Sequence, residues 1–163
     1  MQPDRWAEAI ERELTRTRRT RGMLTDLLSE IGPARPSPHS VTATSTYLAN
    51  LYGGLERVLT GLCKRHGTSV PEGSTWHSEL LECFSEEGGT ADMRLLPRDL
   101  VAELRQFLAF RHVATHGYAP ELEWERLLPA TARVEAVFGE FERLVRQHLG
   151  GEGSAASPTD QGS

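Results

Sequence analysis

The chain has 163 residues, enough for one compact domain with a core that needs no disulfide or metal staple. Hydrophobic residues make up 38% and charged residues 25%, the composition of a soluble globular protein. A net charge of -5 and a pI near 5.7 argue against broad electrostatic binding to nucleic acid, which needs a surplus of Lys and Arg. They leave room for a local basic cleft or a basic partner.

Cys63 and Cys83 form no CxxC pair and read as reduced thiols of a cytosolic protein. The opening Met1-Gln2-Pro3-Asp4-Arg5-Trp6 has no apolar h-region, so no signal peptide is expected. No apolar run reaches the length of a membrane span, and a cytoplasmic location follows as the expectation.

Alternating apolar and polar runs are absent, and Leu, Ala, Glu and Arg dominate, so the elements are helices. The first is predicted from about Asp4, its N-cap, to Ser29. Trp6, Ile10, Leu14, Met23, Leu24, Leu27, Leu28 and Ile31 carry its apolar positions. The run Arg16, Arg18, Arg19 and Arg21 reads as a solvated face, with a local positive patch as the alternative. Gly32, Pro33, Pro36 and Pro38 break the helix.

The second helix is expected from about Ser40 to His66, with Tyr47, Leu48, Leu51, Tyr52, Leu55, Val58, Leu59 and Leu62 on one broad face. Gly53, Gly54 and Gly61 fall on the other side, where they point to close approach by another backbone. A short third helix runs from Trp76 to about Ser85, and Gly88 and Gly89 end it. The fourth starts near Pro97 and ends near His116, before Gly117 and Pro120. The fifth is expected from about Trp124 to Leu149, with a kink or late start at Pro129. Residues 150–163 are Gly/Ser-rich and read as a disordered tail after a domain over 1–149. Four or five long helices with short connections bury their stripes most simply as an antiparallel bundle. Trp6, Trp76 and Trp124 read as core or interface anchors, and His148 as a partly buried packing residue.

One residue breaks the pattern. With Leu100 at zero on a helical wheel, Leu104 falls at about 40°, Phe107 at about 340° and Arg111 at about 20°. An arginine thus sits inside an apolar stripe, which is costly unless it is paired or faces a wet cleft. One reading is a buried arginine paired with a core carboxylate such as Glu56. The other is a guanidinium aimed at a phosphate, whose oxygens match its planar fork. His116 falls about 140° from Arg111 on an ideal helix. Either the last turn unwinds before Gly117, or the two meet across a dimer. His116 itself is a helix-end cap or a proton-transfer group near neutral pH. His112, next to Arg111, faces elsewhere.

Arg111-His112-Val113-Ala114-Thr115-His116-Gly117-Tyr118 resembles the arginine–histidine signature of HEPN domains, with the tyrosine of the HepT-like branch. Phe107-Leu108-Ala109-Phe110, the stretch Ala119 to Arg126, Tyr47 to Arg57 and Trp76-His77 are similar to that branch too, so the resemblance covers roughly Thr42 to Leu149. It implies a helical bundle of HEPN type that forms a homodimer, with two such motifs meeting in a cleft at the interface. It implies a toxin of a toxin–antitoxin pair, an endoribonuclease that needs no metal or cofactor. Arg111 and His116 would be its catalytic residues, with His112 in support. His116 would act as general acid or base on the ribose 2′-hydroxyl or the leaving oxygen. Arg111 would orient the phosphate and stabilise its growing charge. The substrate would be RNA, either tRNA or mRNA. The implied partner is an MNT-type nucleotidyltransferase antitoxin that transfers AMP to Tyr118, placing bulk and negative charge where an RNA phosphate must bind. Tyr118 is alternatively a packing residue at the helix end. A non-catalytic HEPN dimerisation or partner-binding module, with Arg111 in a structural ion pair, is the alternative to the enzyme.

Overall fold

The computed structural model describes residues 4–116 and 123–154, and side chains over 4–112 and 123–151. The helical elements among the described residues are five α-helices and one short 3-10 turn: α1 (Arg5–Ile31), α2 (Pro38–Arg65), α3 (Trp76–Cys83), the 3-10 turn Ala91–Met93, α4 (Arg98–His116) and α5 (Trp124–Ser154).

Each boundary has a local cause. The Asp4 carboxylate accepts from the Trp6 and Ala7 amides, 3.2 and 3.0 Å away, and caps α1. Gly32 stops α1 at φ 59°, a left-handed conformation that side chains with a Cβ adopt rarely. Pro38, expected as a breaker, is the first residue of α2, where its missing N–H is no loss; Ser37 Oγ accepts from the Ser40 amide at 3.2 Å. After α3, the Leu95 and Leu96 amides both donate to the Phe84 carbonyl, at 3.1 and 2.8 Å, folding 84–96 back on itself. α5 begins at Trp124, ahead of Pro129, so the late start does not occur. It also runs on through Gly150 to Ser154, past the expected start of the tail.

α2 is the central helix and packs against all four others. Its Leu51, Leu55, Val58 and Leu62 are fully buried, and Leu14, Leu24, Leu80, Leu104, Phe138 and Val145 from the other helices close the same core. Phe107 of α4 meets Phe138 of α5 edge to face, ring centres 5.1 Å apart.

α1 runs antiparallel to α2, as the contacts Asp4–Arg65, Glu13–Arg57 and Thr17–Gly54 show. The approach is close because α2 presents glycines. A Cβ on Gly61 would stand 2.9 Å from Ile10 Cγ1, and one on Gly54 would stand 3.2 Å from Thr17 Oγ1. α1 is antiparallel to α5 as well, through Glu11–Arg146 and Arg18–Glu142. α4 crosses α5 where Glu103 meets Arg133 and Phe107 meets Phe138.

The basic run of α1 is not uniformly solvated. Arg16, Arg18 and Arg19 are exposed, but Arg21 is buried against α5. Its guanidinium donates to Glu142 at 2.6 Å, and Arg18 and Arg146 share the same carboxylate.

Candidate functional site

The arginine inside the apolar stripe is the starting point. Leu100, Leu104 and Phe107 of α4 face the core at 7%, 0% and 2% exposure, and Arg111 continues their line at its rim. The guanidinium is 28% exposed, against 8% for the structural Arg21. Its Nε lies 3.2 Å from Oε1 of Glu56, a carboxylate 5% exposed on α2. That contact is Coulombic: the N–H is not aligned on Oε1, which accepts no hydrogen bond among the described residues.

A third side chain completes the cluster. His77, in the first turn of α3, binds Oε2 of Glu56 through Nδ1, and its Nε2 stands 3.4 Å from Nη1 of Arg111. A guanidinium can only donate and a carboxylate can only accept. The tautomer that satisfies both contacts carries its proton on Nδ1, giving Arg111 to His77 to Glu56 a single donor direction. The indole of Trp76 lies 3.7 Å from the imidazole, centre to centre, and holds the ring in place. Beneath the cluster, burial and then the Glu56 charge push the Tyr52 phenol well above its ordinary value, with Arg111 in partial opposition. Those surroundings favour the protonated phenol.

Of the site residues expected from sequence, Arg111 stands where the wheel placed it, paired with the carboxylate that was weighed for it. His112 is exposed one residue further on. His116 is the last residue of α4, and its side chain lies outside the described residues, as does all of Tyr118. Because α4 stays helical to His116, the last turn does not unwind, and positions 111 and 116 remain about 140° apart on one chain.

His77 entered the sequence reading only as part of a resemblance, and Glu56 only as one partner among others. Glu56 carried a signal of its own: it falls at the edge of the stripe formed by Leu48, Tyr52, Leu55 and Leu59, and it is the one acidic residue of α2. A charge at the edge of one stripe facing a charge within another is a pairing pattern. His77 carried none, because α3 has only eight residues and its approach depends on the loop before it.

Among the described residues no group of three or more His, Cys, Asp or Glu side chains could hold a metal ion. No helix there is long and apolar enough to cross a membrane. Both cysteines are free. Burial pushes the Cys63 thiol up to about 11, and Cys83 is raised by burial and the nearby Glu79.

A five-helix bundle with a basic side chain at the rim of its fourth helix, tied to its second, is the class that the fold and cluster define. Residues 43–150 match the family of HepT-like proteins, and the chain belongs to that family, a toxin-type branch of the HEPN domains. No curated protein and no solved structure matches it.

Proposed function

We propose that this chain is the toxin of a toxin–antitoxin pair and a metal-independent endoribonuclease. One observation carries the reading: Arg111 is held from two sides, by Glu56 and His77, yet remains more than three times as exposed as the buried Arg21. Fixing a guanidinium while leaving part of it in solvent is the arrangement needed to grip a phosphate. In the reaction, His116 takes the proton of a ribose 2′-hydroxyl. The 2′-oxygen attacks phosphorus and the bond to the 5′-oxygen breaks, with a proton returned to that leaving oxygen. Arg111 neutralises the charge that grows on the phosphoryl oxygens. His112 supports the site from the next position. The angular gap between Arg111 and His116 is met by a homodimer, in which Arg111 of one protomer faces His116 of its partner across a shared cleft. An MNT-type nucleotidyltransferase restrains the toxin by moving AMP onto Tyr118 in that cleft.

The Arg111–Glu56 ion pair also supports a second reading, a non-catalytic HEPN module in which the pair only fixes α4 on α2. The two separate on incubation with tRNA and total RNA, with and without a chelator. Cleavage that survives chelation and falls by about 10²–10⁴ in His116→Ala is expected. Folded His116→Ala and Arg111→Ala chains that cut like the wild type would remove the catalytic assignment. No cleavage by any form, together with an intact dimer, would favour the module. Growth arrest on expression, relieved by a small nucleotidyltransferase that adds AMP to the wild type but not to Tyr118→Phe, tests the partner.

A further inference from the structure

The α1–α2 seam opposite the core holds two adjoining hollows, of about 450 and 300 Å³, that share Arg16 and Arg57. Five cations line them, Arg12, Arg16, Arg19, Arg57 and Lys64, against one carboxylate, Glu13. Glu13 is shared between Arg16 at 2.7 Å and Arg57 at 2.9 Å. Arg12 and Arg19 are exposed and form no ion pair among the described residues. So the groove carries a surplus of four positive charges on a chain whose net charge is -5. Like charges collected in a concavity are costly to keep together unless an anion binds there.

The row has a spacing. Arg12, Arg16 and Arg19 recur at i, i+4 and i+7 on one face of α1, a span of about 10 Å. Arg57 and Lys64, also seven residues apart, run alongside on α2. At the Lys64 end, the half-buried Trp6 ring gathers two cations, the Arg5 guanidinium 4.9 Å and the Lys64 ammonium 5.4 Å from its centre.

We propose that this groove binds the sugar–phosphate backbone of a single-stranded RNA. It would act as a docking track separate from the Glu56–His77–Arg111 cluster, and the proposal rests on the ribonuclease reading. Four of the five cations are arginines, whose forks match phosphate oxygens in pairs. Two parallel rows of charge along one narrow seam are what the backbone of a single, evenly charged strand fits. The rest of the acidic surface repels a polyanion, which confines it to this face.

The test separates docking from cleavage. In a His116→Ala background, the affinity for a labelled single-stranded RNA oligonucleotide is measured across a salt series. The added double substitution Arg12→Ala/Arg19→Ala, at exposed positions without ion pairs, is compared with it. The double variant should bind more weakly for every RNA sequence. Its slope of log affinity against log salt should be shallower by about 1.4, two phosphate contacts at about 0.7 each. An unchanged slope overturns the proposal and leaves the nuclease reading standing. So does a poly-glutamate peptide that binds with the same arginine dependence while RNA does not. RNA binding that depends on Arg12 and Arg19, in a chain that with His116 restored never cuts RNA, upholds the groove and removes the nuclease.

Discussion

Replacing Glu142 by Ala takes one acceptor from three arginines, and the structure assigns most of the cost to one of them. Arg18 is 63% exposed, and water replaces its partner. Arg146 is 37% exposed and keeps Glu11 at 2.6 Å. Arg21 is 8% exposed, and its next carboxylate, Glu135, is 3.8 Å away and itself 68% exposed. A buried charge stripped of its partner costs about 3–5 kcal/mol. For a domain of this size that is a fall in Tm of about 6–20 °C. Thermal and urea unfolding followed by circular dichroism at neutral pH measures it. Arg21→Met combined with Glu142→Leu should recover most of the loss, since an apolar pair leaves no orphan charge. A loss below about 1 kcal/mol for Glu142→Ala would refute the reasoning, by showing that solvent reaches Arg21. The pH dependence has a defined sign. Burial raises the Glu142 pKa, but its bonds to Arg146 and Arg18, with the Arg18 and Arg21 charges, outweigh burial and leave it below the ordinary value of 4.5. The folded state therefore holds this proton less tightly than the unfolded chain. The stabilisation is complete above about pH 4.5 and is lost as pH falls through the folded value. The variant should lack that part of the acid limb.

Three further outcomes follow. Gly61→Ala should lower stability by up to about 2 kcal/mol in urea unfolding: displacing the buried Ile10 costs about 1–3, and the better helix propensity of Ala returns about 1. Stabilisation on Gly61→Ala would mean that α1 shifts freely on α2. His148 faces His66, Nε2 to Nε2 at 3.0 Å, and burial, then the His66 and Arg65 charges, lower its pKa below 6.5. Stability should therefore decline as pH falls below about 6.5, and His148→Leu should flatten that part of a Tm-against-pH curve. On the ribonuclease reading, Glu56→Gln keeps the shape beside Arg111 and removes its charge; kcat/KM should drop about 10–100-fold at unchanged RNA affinity, and an unchanged kcat/KM would exclude a positioning role.

The fold was legible where residues repeat at helical spacing, because burial of a stripe fixes both the element and its face. Leu48 to Leu62 on α2 and Leu100 to Phe107 on α4 are examples, and both are buried as expected. Boundaries were less legible where one residue type has two uses. Pro38 reads equally as the end of a loop or the start of a helix, and only the Ser37 cap decides between them. Gly150 and Gly151 look like linker, yet α5 continues through them. Arg111 was legible because charge within a stripe demands a partner. Arg21 demanded one too, but its place in a run of four arginines concealed that it points inward. His77 was hidden because its approach to Glu56 depends on the path of 66–75, which no periodicity encodes.

The position of α2 bears on how the protein can change. Of its 28 residues, 13 are buried, and those between Leu51 and Cys63 serve several neighbours at once. Gly54 and Gly61 admit α1, Glu56 anchors Arg111 and His77, and Arg57, the very next residue, lines the opposite groove. Substitution therefore has little room there, since a change at one site disturbs its neighbours through the same rigid rod. Variation should accumulate instead at exposed positions outside the groove, such as Thr15 and Gly22 of α1, which can be exchanged without repacking the interior.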